Sequence, residues 1–107
     1  MMGTVEWVNR FCDTMDDATT LRIMRGRAYQ DAYGAIDLLN KLPRDDPWIA
    51  ELKVERDQAL DCIDKIEARM KAMGLEDTWG DERSHGLDQT KCRHVDKERK
   101  KRNGKLV

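Results

Sequence analysis

Apolar and polar positions along this chain fall into three segments with helical spacing. The clearest lies in the middle, where Ile49, Leu52, Arg56, Ala59, Ile63, Ile66, Met70 and Met73 alternate by three and four and so share one face of a helix. Seven of these positions are apolar and one, Arg56, is a permanent charge. Asp46-Pro47 predicts the helix start, because Asp accepts from free amide groups and proline loses nothing at the first helical position. Gly74 after Met73, with Leu75 able to fold back on Met70, predicts a Schellman-type stop. At the helical rise this element is about 40 Å long.

A second stripe over about residues 17–41 comprises Leu21, Met24, Ala28, Ala32, Ala35, Leu39 and Leu42, with Gly34 beside it. Its small residues admit a close neighbour, and Pro43 ends it by pushing Leu42 out of helical geometry. The connection Leu42–Asp46 is short, which favours antiparallel neighbours. The expected pair is an antiparallel helical hairpin, coiled-coil-like, with Leu38 near Leu52 or Lys53, Ala35 near Arg56, Ala28 near Ile63 and Leu21 near Met70. Arg56 then faces Ala35, with Asp31 one turn away. Three readings of Arg56 follow: its head leaves the seam for water, it pairs with Asp31 and fixes register, or it binds a partner. The first is favoured.

Residues 4–15 predict a shorter third helix, capped by Thr4 and lined by Val8, Phe11, Cys12 and Met15, with Trp7 beside them. It either folds back on the hairpin, with Asp16 or Asp17 capping a new start, or runs on as one bent helix; the hairpin's need for cover favours the fold-back. Residues 75–107 show no sustained periodicity. Their glycines and dense charge predict a mobile basic tail over 76–107 beside a folded domain of 1–75. Trp79, the large apolar group there, is expected to pin the tail to the hairpin or to a partner. The fold class is all-α.

Composition adds a reason for association. Charged residues make up 38% of the 107-residue chain and aromatics 6%, so little material exists for a deep core. A homodimer is the expected remedy. The net charge of −1 hides segregation, with residues 1–73 at −3, 74–90 at −4 and 91–107 at +6. Three scattered cysteines, Cys12, Cys62 and Cys92, do not make a disulfide framework and suit a reducing compartment. Neither a signal peptide nor a membrane span is expected, so the reading is a cytoplasmic protein without membrane attachment.

Catalytic chemistry is thin. His85 and His94 lie in the tail, no phosphate-binding glycine loop or nucleophile–base order is present, and no enzyme activity or cofactor is expected. His85, Cys92 and His94 lie close together, but zinc commonly takes two close ligand pairs and only Cys92-x-His94 is one, so no metal is expected. Nucleic acid is the principal alternative partner. Lys97, Arg99, Lys100, Lys101, Arg102 and Lys105 can neutralise phosphates, and Arg22, Arg25, Tyr29 and Tyr33 form a basic-aromatic stripe. Against it stands the slightly acidic whole chain. The favoured function is a protein–protein interaction module, with Tyr29, Tyr33, Ile36 and Trp79 as partner contacts and Asp31 with Arg56 as a register pair. In size and composition the chain is similar to small helical accessory proteins of bacteriophages and mobile elements, which act by binding host proteins.

Overall fold

The structure is a computed structural model that describes residues 3–75 and 89–104, and among these the chain is all-α, without strands. Four helices, α1 (Thr4–Phe11), α2 (Ala18–Lys41), α3 (Trp48–Ala72) and α4 (Gln89–Gly104), surround one apolar core.

The long helices begin and end where local chemistry places them. Asp17 caps α2: its carboxylate accepts from the Thr20 amide at 3.2 Å and from the Thr20 hydroxyl. Those bonds to Thr20 hold the Asp17 carboxyl below the usual carboxylate range. At the far end Leu42 is extended, as the residue before Pro43 must be. Asp46 accepts from the Trp48 amide at 2.8 Å and so satisfies the first turn of α3 from one position outside it. The end of α3 is a Schellman motif, with Leu75 N donating to Met70 O at 2.9 Å and Gly74 N to Lys71 O at 3.0 Å. Gly74 sits at φ +72°, the left-handed conformation glycine reaches without strain.

Leu21, Met24, Ala28, Ala32 and Ala35 of α2 are buried, as are Leu52, Ala59, Ile63, Ile66 and Met70 of α3. Ile49, Arg56 and Met73 of the α3 row, and Leu39 and Leu42 of the α2 row, are only partly covered. Gly34, Ala35 and Leu38 line one groove with Glu55, Gln58 and Ala59, while Arg25 lines another cleft with Glu67, Met70 and Lys71.

Thr4 does not cap α1; it is the first helical residue and Gly3 occupies the cap position. A single 3₁₀ turn, Cys12–Thr14, and extended Met15 separate α1 from α2. The α1 layer is tied to α3 by Val8 and Cys12 in the core, by Lys65 Nζ donating to Asn9 at 2.8 Å, and by Arg69 Nε donating to Met15 O at 2.9 Å. Trp7 packs partly buried, with the Arg27 guanidinium 5.2 Å from its ring centroid. Phe11, expected on the inner face, is exposed. Val8 and Cys12, four residues apart, occupy the inner line and leave Phe11 beside it.

The largest correction concerns the segment expected to be a mobile tail. Residues 89–104 form α4, which lies against α2 and buries Cys92 and Val95 in the common core. Two short side chains three apart are too slight to register as periodicity, and the remaining hold is polar. Trp79 and Lys105 lie outside the described residues.

Candidate interaction surfaces

The first surface is the one α4 covers. Tyr29, expected to meet a partner, is 2% exposed; its hydroxyl donates to Asp96 and accepts from Arg99 Nη1 at 3.0 Å. Burial and the bond to Asp96 hold that phenol far above its ordinary pKa. Arg99 reaches across to α3. Its Nη2 donates to Asp64 at 2.8 Å and to Glu67 at 2.9 Å, and its Nη1 donates to Glu67 at 3.2 Å. Burial opposes the Arg99 charge, but hydrogen bonds to Glu67 and Asp64 outweigh it and raise its pKa. Arg102 follows one turn later, with Nη2 on Asp64, Nη1 on Asp61 at 2.9 Å, and Nη1 on the Asp57 carbonyl at 3.1 Å. Asp64 thus bridges both arginines.

These contacts re-sort the expected residues. Arg99 and Arg102 are internal clamps, not free cations for nucleic acid. Arg25 is 1% exposed, inside the core, and Arg22 is partly buried. A basic residue at a stripe position is taken inward when its long stem can pack between helices. Tyr33 lies under α4, with the His94 ring 6.5 Å away and Lys91 Nζ 5.4 Å from its centroid. Ile36 is a core residue. The Tyr29/Tyr33/Ile36 face is therefore filled by the chain itself. Asp31 and Arg56 do not pair: Arg56 Nε meets Asp57 at 3.1 Å, its neighbour on α3, and Asp31 is exposed.

The second surface is a groove of about 350 Å³ lined by Val5, Gln30, Asp31, Gly34, Ala35, Leu38, Glu55, Gln58 and Ala59. Leu38 is 42% exposed on its rim, and Trp48, at the start of α3, is 63% exposed. A Cβ built on Gly34 would meet nothing within 4 Å. The sequence held a signal for this groove in the doublet Leu38-Leu39, since adjacent helical residues diverge by about 100° and both cannot enter one core.

The third surface is the outer side of α4, where Arg93, Lys97, Lys100 and Lys101 are all exposed. Arg93 had no role in the sequence reading, because the basic run looks unstructured until the helix assigns its sides.

Cys12, Cys62 and Cys92 are free and buried; burial pushes the Cys62 thiol up to about 11 and raises Cys12, which keeps both protonated. Among the described residues no group of three or more His, Cys, Asp or Glu is placed to hold a metal ion, and no helix is long and apolar enough to cross a membrane.

Comparison with known proteins finds no matching family model, no matching curated protein and no matching solved structure.

Proposed function

We propose that this protein is a small helical protein–protein interaction module that works as a homodimer and acts by binding, not by catalysis. The scaffold is the α2–α3 pair, an antiparallel hairpin that α1 and α4 cover on either side while the end near its loop stays open. The observation that carries the reading is Gly34. A glycine inside a helix costs about 1 kcal/mol relative to alanine, and the monomer offers no reason for it, since the space beside it is empty. A second chain crossing α2 at that point supplies the reason.

The occupant of the groove is a second copy. A twofold dimer needs a patch complementary to itself. Leu38 projects and Gly34–Ala35 recede, one turn apart on the same helix. A twofold axis between them sets each Leu38 into the other copy's hollow, with Gln30 and Gln58 supplying amides at the rim. Trp48 extends the apolar area. Free thiols suit the reducing cytoplasm, and a compact binding module of this size fits an accessory protein of the phage or mobile-element kind.

Light scattering tests the reading. The intact chain is expected to be dimeric at about 50 µM, and Leu38→Glu and Gly34→Phe are each expected to give a helical monomer, because both residues lie on an open surface. A monomeric wild type, or variants as dimeric as wild type, would refute it.

A further inference from the structure

α4 divides its basic residues between two sides. Arg99 and Arg102 turn inward and are neutralised by Asp61, Asp64 and Glu67. Arg93, Lys97, Lys100 and Lys101 turn outward and are exposed. At 100° per residue these four lie within an arc of about 100°, and at 1.5 Å per residue they span about 12 Å along the helix. Lys101 has Glu98 at 3.7 Å; among the described residues Arg93, Lys97 and Lys100 have no acidic partner. The internal ion pairs therefore leave one ridge of a single sign on a chain whose net charge is −1.

We infer that this ridge binds nucleic acid through its phosphates, independently of the dimer groove. The chemistry of the ridge selects the partner. It carries no apolar side chain, so it has nothing to insert below the headgroups of a membrane and nothing to form the apolar centre of a protein interface. Single-strand binders stack bases on exposed aromatic rings beside their cations; of the rings that α4 contacts, Tyr29 is buried and Tyr33 is packed by His94 and Lys91, while the exposed Phe11 and Trp48 belong to α1 and α3. What remains is sequence-independent contact with the backbone of a duplex, where a row of cations releases condensed counterions. Because Arg99 and Arg102 are already paired, the ridge offers three to four contacts, not the larger number implied by the basic run.

Fluorescence anisotropy of the intact chain on a labelled random-sequence DNA duplex of about 20 base pairs tests this. Three to four contacts predict a log–log salt slope of about −2.7 to −3.6, which is a loss of about 40- to 150-fold between 50 and 200 mM salt. The triple variant Arg93→Gln, Lys97→Gln, Lys100→Gln keeps its helical circular dichroism and is expected to bind at least tenfold more weakly, with a slope near −1. Absence of binding at 50 mM salt, or a triple variant that binds like wild type, overturns the inference. Polyglutamate that displaces the duplex at matched charge also overturns it, by assigning the ridge to acidic protein.

Discussion

A methyl group added at Gly34 and one added at Gly74 should move stability in opposite directions. Gly34 has helical geometry and open space, so Gly34→Ala should stabilise the monomer by up to about 1 kcal/mol while weakening self-association. Gly74 has φ +72°, so Gly74→Ala should cost about 1–2 kcal/mol. Thermal unfolding followed by circular dichroism checks both, since 1 kcal/mol moves the midpoint of so small a domain by about 4–8 °C. A Gly34→Ala midpoint below wild type in dilute solution would mean that the groove is tighter than described.

Cys62 and Tyr29 give a pH dependence with a defined sign. Burial raises the Cys62 thiol from 9.0 to about 11, and burial also raises Tyr29. The unfolded chain therefore loses these protons first. The stabilisation is complete below about pH 9 and is lost as pH rises toward 11. Urea midpoints should fall over that interval, and Cys62→Ala should flatten part of the fall. A Cys62→Ala profile parallel to wild type would show that the thiol does not contribute. Single residues were legible in the sequence where the chemistry is local, as at Asp17, Asp46 and Gly74. Arg25 and Tyr29 were not, because their burial is set by elements distant in sequence.

At the scale of elements, α4 shows why the sequence reading stopped at residue 75. α2 and α3 each carry an apolar row several turns long, which periodicity detects. α4 contributes Cys92 and Val95 to the core, and its other attachments run from Asp96 and Arg99 to Tyr29, from Lys91 and His94 to Tyr33, and from Arg99 and Arg102 to residues 57–67. Such pairings have no local signature, so charge density alone made the segment look mobile. A helix held this way should also be released electrostatically. Arg99→Ala removes hydrogen bonds to charged groups worth about 1.5–3 kcal/mol each and leaves Tyr29 without one partner. Alkylation of Cys92 should accelerate in this variant while Cys62, beneath α1, stays protected. Wild type in about 1 M salt, where screening acts within about 3 Å, should show a weaker form of the same selectivity. Equal acceleration at both thiols would mean that the whole fold, not α4, had opened.

For the whole molecule, cover is unevenly distributed. α1 and α4 close the two sides of the α2–α3 pair, and the end near residues 42–47 keeps Leu38 and Trp48 in contact with solvent. On the proposed reading this groove would join two copies, while the α4 ridge carries a different chemistry. The most direct test uses the geometry of the dimer itself. A chain carrying Gly34→Cys is mixed with an equal amount of a chain carrying Leu38→Cys and oxidised gently, the native thiols being buried. The twofold arrangement predicts that the mixed 34–38 disulfide forms faster than a disulfide from an exposed control such as Glu51→Cys. Mixed product that forms no faster than the control would contradict a dimer built on this groove.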